Sequence, residues 1–558
     1  MRNYYKERYI FIFIITVSAV ILFSGLNWGL PSAELNDLYY LKTDSIEKIY
    51  TAVINSKSDI LPRSFYNPIR SYHPDEYFII KSLQALNFKK LLSFEQFSIG
   101  GAFLFLYAFF LLVLSKLHVV YLTRDILFYF FNPHEIAKLY IIGRFICVIY
   151  SIGILIITYV IAKKMWGSKL NAFLTFFLLL FSPLFILNSH YMYVDIPGVF
   201  WIMLTLYFSV NYVTGSKKNP LLIGLIAGIA AGNKLTFILV FLIPLISFLI
   251  VTEPLKNKIK NIILAFTSFV IILFLSSPYL FSALYQIFYG SGKNATSISF
   301  TPKFYILSLK YGLGLPLLLL STSGIILQIF HKKQTFKPDK ILILLWVITF
   351  FFIMSLLSLK YARYLLPIIP PLIIIGVGGW SLEIKNRIFK FFKYCFLTFV
   401  VLFTFFYGMA FELFFIKDNI RTEAGKWLKA NILPGSSIGV TEIPWQFQMP
   451  PFDYQNYSII VTGYEFKEIE KKTPDFFILS SLQVPISPYP VHLQKERKLF
   501  LENFIFSNLY EVKKEFKNLP QFLGIVFKLN VIPEDLIYMN PSIIIFEKKS
   551  NNKNEKNI

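Results

Sequence analysis

Charged residues are scarce in this chain of 558 residues, making up 16% of it against about 25% in an average soluble domain. Hydrophobic residues make up 55% and aromatic residues 18%. Apolar stretches of about 17–25 residues recur from Tyr9 to Ile416, each long enough to cross a hydrocarbon core roughly 30 Å thick. Phe, Ile and Leu occupy every face of these stretches, as lipid-facing helices require. The composition excludes a soluble globular protein and predicts an α-helical polytopic membrane protein.

Other features that the sequence lacks, or has few of, restrict the classes of function that it can have. The formal net charge is +23, yet no aromatic-plus-basic motif for nucleic acid accompanies it, so we expect no nucleic-acid partner. The two cysteines, Cys147 and Cys395, lie inside apolar stretches as small core residues and indicate nothing about the redox compartment. No clear A-x-A cleavage site follows the first apolar run, which ends near Trp28, so we expect that helix to be retained.

The distribution of Lys and Arg predicts the topology. These residues cluster between apolar spans, and if every cluster is cytoplasmic an even number of crossings separates neighbouring clusters. About eleven crossings satisfy this condition, with the N-terminus cytoplasmic and the C-terminus outside. They are the first helix and spans near 141–162, 170–189, 196–214, 221–233, 235–251, 262–281, 304–330, 340–358, 365–382 and 394–416.

The apolar run from Gly100 to Ser115 does not fit this pattern, because a complete crossing would place Lys163 outside. We interpret it as a re-entrant or interfacial helix within a long first external loop, about 29–140. The alternative is a full crossing matched by a second, short one near Leu127–Phe131.

The composition changes after Ile416. Glu423–Ala430 and Phe466–Lys472 are predicted helices, and Ser437–Thr441, Tyr457–Thr462 and Asp475–Ser480 are predicted strands. This alternation predicts a small extracytoplasmic α/β domain over 417–550, after a membrane domain over 1–416. The tail, 551–558, is predicted to be disordered.

Few acids occur near the membrane spans, where each ionisable group costs about 2.5–3.5 kcal/mol and is a functional candidate. Asp75 and Glu76 stand in the sequence Ser71-Tyr-His-Pro-Asp-Glu-Tyr77 of the first external loop. A Pro followed by acids is also what an ordinary helix start favours. Adjacent helical residues point about 100° apart, so one acid is expected to be a base and the other its support. Asp195 lies at an outer junction on the same predicted side.

The candidate cations on that face are Arg144, Lys234, Lys360 and Arg363. For each of them, an interfacial anchor beside aromatic residues is the competing structural interpretation. Acids and cations on one membrane face suit a reaction with an anionic leaving group. Cations hold a phosphate, and a carboxylate accepts the proton of an attacking hydroxyl.

The motifs, in this order, resemble the membrane glycosyltransferases of the protein O-mannosyltransferase and aminoarabinose-transferase kind, which have the GT-C fold. The motifs are His73-Pro-Asp-Glu76, a helix around Arg144 that lacks the family's later Gly, Ser182-Pro…Ser189-His…Asp195-x-Pro, Gly228-x-Ala-x-Gly…Lys234 and Lys360-x-x-Arg-Tyr-Leu-Leu-Pro367.

The resemblance implies an external site that uses a polyprenyl-phosphate sugar, with inversion at the anomeric carbon. Asp75 would be the general base, Glu76 its partner and Asp195 a second acid. Phosphate contacts would come from Arg144, Lys234, Lys360 and Arg363, and substrate-lining contacts from His73, His190 and Tyr361. Protein O-mannosyltransferases carry a proline-rich acceptor-side motif where this chain has Phe97-Ser-Ile-Gly-Gly101. This departure puts a protein acceptor in doubt.

Two rival functions remain at this stage. A transporter or flippase of a lipid-linked sugar would favour inverted repeats, and we find none in the sequence. A structural or assembly protein would leave the cluster of charges on one face unexplained. The sequence leaves open the sugar, the length of the carrier lipid and the acceptor, which is a lipid, a glycan or a protein. It assigns no cofactor and leaves a divalent metal requirement open.

Overall fold

The computed structural model describes residues 2–39, 51, 65–84, 100–216, 218–278, 300–330, 337–357, 360–382, 386–453, 456–491 and 493–549. Most of these residues are helical. The first helices are α1 (Arg2–Phe23), α2 (Ala33–Tyr39), α3 (Glu76–Gln84), α4 (Gly101–Lys116), α5 (Ile126–Phe131), α6 (Pro133–Trp166), α7 (Lys169–Leu180), α8 (Pro183–Ser189), α9 (Asp195–Val213) and α10 (Pro220–Ala231).

The later helices complete the apolar part and continue beyond it. They are α11 (Leu242–Ile250), α12 (Leu255–Ser276), α13 (Pro302–Leu313), α14 (Leu315–Phe330), α15 (Pro338–Leu356), α16 (Ile369–Trp380), α17 (Arg387–Ile416), α18 (Ile420–Asn431), α19 (Phe466–Lys472) and α20 (Lys495–Phe506). Two 3-10 helices, Leu235–Phe241 and Ala362–Ile368, lead directly into α11 and α16.

Among the described residues, fewer straight helices reach membrane-spanning length than the eleven crossings predicted. Within the described ranges, six helices are long and apolar enough to cross a membrane, or eight if each of two bent pairs counts as one span. Shorter apolar helices occupy other predicted spans; α10, with 12 residues, is only about 18 Å long. The prediction of an integral membrane protein is confirmed, whereas the count of eleven and the orientation of the termini stay predictions.

The predicted span 304–330 is not one straight helix. It breaks at Gly314 into α13 and α14, with a bend of 114° between them. Gly314 has a φ of +83°, a conformation that favours glycine, and it ends α13. The predicted span 170–189 is likewise bent, by 65°, between α7 and α8, where Pro183 starts a new helix. Backbone breaks at Gly and Pro therefore explain why apolar length overestimated the straight spans.

The helix that contains Arg144 begins earlier than predicted. Pro133 occupies the first turn of α6, and the helix runs for 34 residues to Gly167, a left-handed C-terminal cap. Arg144 therefore lies well inside the helix and not at its outer start. The residues that precede 141 are less apolar than the span itself, which is why hydropathy alone began the helix too late.

Helix α4 docks on the loop that precedes Lys234. The N–H of Gly100 donates to the carbonyl of Asn233 at 3.1 Å, and the N–H of Ala102 donates to the carbonyl of Gly232 at 3.1 Å. A Cβ on Gly100 would lie 2.0 Å from that Asn233 oxygen, so only glycine permits this approach. The predicted helix near 100–115 is thus present as Gly101–Lys116, and whether it crosses the membrane stays a prediction.

Within the described residues, the C-terminal part contains nine strands, which are β1 (Ser437–Val440), β2 (Ser458–Val461), β3 (Phe476–Ser480), β4 (Tyr489–Pro490), β5 (Tyr510–Phe516), β6 (Gln521–Phe522), β7 (Ile525–Val526), β8 (Val531–Ile532) and β9 (Ile543–Lys548). Five of them form the predicted small sheet in the order β2-β1-β3-β9-β5, with β1 parallel to β2 and β3, and β9 antiparallel to β3 and β5. The predicted helix at 466–472 and the three predicted strands are observed. The tail 551–558 lies outside the described residues.

The C-terminal part has apolar clusters of its own and also packs against the membrane helices. Buried residues in and around its strands, among them Phe447, Leu482, Ile532 and Tyr538, belong to the same apolar core as the membrane helices. Arg421, fully buried in α18, donates to the carbonyls of Phe447 and Tyr538 and lies over the Tyr72 ring. This shared core brings C-terminal residues to the first external loop.

Candidate active site

Four charged side chains from four separate segments meet at one place. Asp75 Oδ2 is 2.9 Å from Arg363 Nη2, and Asp195 Oδ1 accepts a hydrogen bond from Lys234 Nζ at 2.7 Å. Arg363 Nε lies 3.6 Å from Asp195 Oδ2 and joins the two pairs. The structure therefore brings together two predicted acids and two predicted cations that lie far apart in the sequence.

Asp75 immediately precedes α3 and remains accessible. Its side chain is 22% exposed, whereas the neighbouring Glu76 side chain is 0% exposed. The backbone N–H of Asp75 donates to His73 Nδ1 at 3.2 Å. Burial, reinforced by Arg363, Arg144 and Arg421, lowers the pKa of His73 well below its ordinary value. The ring is therefore neutral, and its unprotonated Nδ1 holds the backbone that presents Asp75.

Glu76 points away from Asp75 into a buried hydrogen-bond network. Its two oxygens accept from Arg144 Nε at 2.8 Å and Nη2 at 2.7 Å, a bidentate pair. They also accept from the N–H of Met192 at 2.7 Å and from the hydroxyl of Ser71 at 2.5 Å. The Glu76 carboxylate is thus saturated by donors and closed to solvent.

Arg144 was predicted to contact the substrate phosphate, but its side chain is bonded to groups inside the protein. Its side chain is 1% exposed, and besides Glu76 it donates through Nη1 to the carbonyls of Leu26 and Trp28, each at 2.7 Å. The pairing ties α6 to α3 and to the chain that leaves α1. Because its N–H groups are engaged by carboxylate and carbonyl oxygens inside the protein, Arg144 has little capacity left for a substrate anion.

Arg363 combines burial with unused donors. It lies in the 3-10 helix Ala362–Ile368, its side chain is 6% exposed, and the ring of Tyr361 lies 4.2 Å from its guanidinium carbon. Among the described residues, its Nε and Nη1 have no hydrogen-bond partner. Buried donors are normally paired, so these two N–H groups are suited to an anion that enters the site.

Lys234 lies between aromatic rings at the start of the 3-10 helix Leu235–Phe241. Its Nζ is 4.2 Å from the centre of the Tyr364 ring and 5.8 Å from that of Tyr193. Tyr193 also faces the Arg363 guanidinium, at 5.3 Å. Tyr193 and Tyr364 were not predicted as site residues, although each stands within two positions of a predicted one.

A C-terminal acid also reaches this site, and no motif in the sequence indicated it. Asp535 accepts the backbone N–H of Ala362 through Oδ1 at 3.0 Å and that of Arg363 through Oδ2 at 2.9 Å. Burial raises the pKa of Asp535 above its ordinary value, while Arg363 and the two N–H groups favour the ionised form. Asp535 thereby caps the first turn of the helix that carries Arg363.

Two predicted site residues lie elsewhere. His190 is buried with its ring nitrogens 2.9 Å from the carbonyl oxygen of Ile186 and 3.0 Å from that of Ser24, and 3.4 Å from the carboxylate of Glu412. Lys360 Nζ donates to the carbonyl of Leu357 at 2.6 Å and lies 5.8 Å from the Tyr305 ring. The contacts of both residues are structural, and neither joins the four-residue cluster through them.

The described ranges contain no group of three His, Cys, Asp or Glu side chains placed to hold a metal ion. The charges of Asp75 and Asp195 are balanced by Arg363 and Lys234.

Parts of this chain are similar to known proteins. Residues 141–281, about a quarter of the chain, match the family model described as dolichyl-phosphate-mannose-protein mannosyltransferase. An uncharacterized protein of Aquifex aeolicus (strain VF5) is 38% identical over 72 residues, which are 13% of this chain and 14% of the relative. The matched segment thus spans only a small part of that relative's length.

Solved structures with a similar chain trace include ArnT from Cupriavidus metallidurans bound to undecaprenyl phosphate. The two chains are 12% identical over 96% of this chain and 98% of ArnT, with a TM-score of 0.44. The Archaeoglobus fulgidus oligosaccharyltransferase is 12% identical over 84% of this chain and 69% of its own, with a TM-score of 0.45. The match over 141–281, which includes Arg144, Asp195 and Lys234, confirms that this segment resembles the dolichyl-phosphate-mannose-protein mannosyltransferases.

Proposed function

We propose that this chain is an inverting glycosyltransferase that moves a sugar from a polyprenyl-phosphate carrier to an extracytoplasmic acceptor hydroxyl. The observation that carries the proposal is the cluster of Asp75, Asp195, Lys234 and Arg363, which puts an accessible carboxylate beside two cations. Sugar transfer from a lipid phosphate needs both: a base for the incoming hydroxyl and positive charge for the departing phosphate.

Asp75 is the proposed general base. The attacking hydroxyl must lose its proton as it bonds to the anomeric carbon, and Asp75 is the more exposed member of the acidic pair. His73 positions it through the Asp75 N–H, and Arg363 contacts its carboxylate directly. Asp195 acts as the second acid by holding Lys234, and it approaches Arg363 as well.

Arg363 and Lys234 are the proposed phosphate ligands. The leaving polyprenyl phosphate is a stable anion that needs charge stabilisation more than protonation. Nη1 of Arg363, which has no hydrogen-bond partner among the described residues, supplies a donor, and Nε lies 3.6 Å from Asp195 without a hydrogen bond. Lys234 supplies a second positive charge across Asp195. Arg144 is not a phosphate ligand in this proposal, because the carboxylate of Glu76 occupies it.

The proposed activity is tested with purified full-length chain and a panel of radiolabelled polyprenyl-phosphate sugars. We expect label to move from at least one carrier to an acceptor fraction from extracytoplasmic lipids, glycans or proteins. Transport of intact lipid-linked sugar across liposomes without transfer of label would instead establish the flippase alternative.

The first expected result concerns the phosphate ligands. Lys234→Ala and Arg363→Ala should each raise the KM for the lipid donor by roughly tenfold or more, since a hydrogen bond to a charged group contributes about 1.5–3 kcal/mol. Steady-state kinetics with varied donor measure the effect. Lys218→Ala removes a lysine that is paired with Glu253 away from the cluster and is the matched control. Unchanged donor KM in both site variants would leave both cations as structural anchors.

A second expected result concerns Asp535. Asp535→Asn keeps the size of the side chain but can accept only one of the two backbone N–H groups of Ala362 and Arg363. We expect Arg363 to lose its fixed position, with a rise of about tenfold in donor KM and a smaller change in kcat. Asp475→Asn, which alters an acid bonded to the Ser437 N–H within the C-terminal sheet, is the control and should leave donor KM unchanged. Equal effects of the two substitutions would indicate general loosening of the C-terminal part.

A further inference from the structure

The short hairpin of β6 and β7 in the C-terminal part lies against a membrane helix. The ring of Phe522 is 5.9 Å from that of Phe405 and 5.7 Å from that of Phe406, both in α17. Phe527, just after the hairpin, lies 4.9 Å from Tyr407 of the same helix. The hairpin therefore packs along the side of α17.

The contacted residues lie inside the apolar length of α17. Phe405 and Phe406 precede Ile416, the last residue of the helix, by about 15–17 Å along the axis, and the first charge beyond it is Lys417. Helix α17 is one of those long and apolar enough to cross a membrane. The hairpin is thus beside the part of the helix that approaches the hydrocarbon.

The outward side of the hairpin is apolar. Leu523 is 78% exposed, and Ile525 and Val526 are about half exposed. On α17 itself, Phe399 and Leu402 are exposed in the same way, so apolar surface continues from the helix to the hairpin. Exposed lysines, Lys517 and Lys528, flank this segment, as they commonly do where a chain enters and leaves a membrane interface.

The turn itself carries an unusual residue for a water-exposed position. Leu523 has a φ of +47° and Gly524 a φ of +82°, a two-residue turn that favours Asn-Gly. A leucine is disfavoured at this position because a positive φ is unfavourable for it, and exposure of its side chain to water brings no stabilisation. The hairpin also closes its own hydrogen bonds, through β6–β7 pairing and the Phe527 N–H to the Pro520 carbonyl at 2.8 Å, which suits an apolar surrounding.

We propose that the β6–β7 hairpin inserts Leu523, Ile525 and Val526 into the acyl region of the bilayer leaflet on the side of the C-terminal part. The occupant of this surface is lipid, because the surface continues the lipid-facing side of a spanning helix. The hairpin then fixes the height of the C-terminal part, and with it Asp535, above the membrane. The insertion does not depend on the proposed transferase activity.

The test uses the full chain in liposomes of phosphatidylcholine and phosphatidylglycerol. Cys395 is replaced by Ser, and the buried Cys147 stays. A nitroxide label is placed at Leu523→Cys and, as the matched control, at Leu433→Cys, a leucine of the same 78% exposure between α18 and β1. Spin-relaxation measurements compare access of oxygen, which concentrates in acyl chains, with access of a polar nickel complex.

We expect the ratio of oxygen access to nickel access to be several-fold higher at 523 than at 433. Adding Ile525→Asp should lower the ratio at 523, and adding Ser436→Asp beside the control label should leave the ratio at 433 unchanged. A ratio at 523 equal to that at 433 would show that the hairpin faces water. A label at 523 shielded from both reagents would show a protein partner or second copy there, and would also overturn the proposal.

Discussion

Asp75→Asn should lower turnover by about 10²-fold or more, the contribution of a well-placed general base. Asparagine keeps the size and most hydrogen bonds of the side chain but cannot accept the proton of the acceptor hydroxyl. Donor KM should change much less than kcat, because the lost interaction belongs to the transition state and Arg363 retains Asp195 as a neighbour. Steady-state kinetics with the active donor from the labelled panel measure both constants.

His73→Gln provides a matched comparison for this result. Glutamine can accept the Asp75 N–H but does not stack on Tyr191, whose ring centre is 4.1 Å from that of His73. We expect a smaller loss of kcat than in Asp75→Asn, since the base is displaced and not removed. Normal turnover in Asp75→Asn would show that Asp75 is not the base. The presence of an acid there would then be explained by its position at the start of α3.

Glu76→Gln should lower the stability of the protein more than it lowers the activity of each folded molecule. The substitution removes the charge that balances Arg144, whose side chain is 1% exposed, and leaves a guanidinium buried without a counter-ion. Breaking one side of a buried pair costs about 3–5 kcal/mol. The expected result is a clear fall in the thermal unfolding temperature of the detergent-solubilised protein, with activity lost in proportion to folded protein.

The companion variant separates stability from catalysis. Glu76→Gln combined with Arg144→Met removes both charges and should recover part of the lost stability, because no buried charge remains unpaired. Glu135→Gln, which breaks the more exposed contact with Lys138, is the control and should have a small effect. A Glu76→Gln protein as stable as the parent but inactive would assign Glu76 to the chemistry.

Local physical chemistry made part of this molecule predictable. Long apolar runs predict membrane helices whatever surrounds them, because the bilayer requires internal backbone hydrogen bonds. The C-terminal helix at 466–472 and three of the strands follow from patterns of a few residues each. Asp75, Asp195, Lys234 and Arg363 were identifiable because a charge near a membrane is costly and few were present.

The partners of the charged residues came from the tertiary structure. Arg144 and Arg363 are the same residue type beside similar apolar runs, yet their surroundings differ. Arg144 is bonded by Glu76 and backbone carbonyls, whereas Nη1 of Arg363 has no hydrogen-bond partner among the described residues and its Nε lies 3.6 Å from Asp195. Likewise, the bend between α13 and α14 depends on the positive φ that Gly314 adopts, which hydropathy does not contain.

Asp535 is the clearest example of a residue near the site that the sequence alone did not predict. It stands 172 residues after Arg363, in a segment without a motif, and it reaches the site only because the C-terminal part shares a core with the membrane helices. By itself the sequence determined that the chain is an integral membrane protein and which few charged residues are candidates for the site, since both follow from local transfer costs. Only the tertiary structure decided which charges face one another, because pairing depends on distances between segments far apart in the chain.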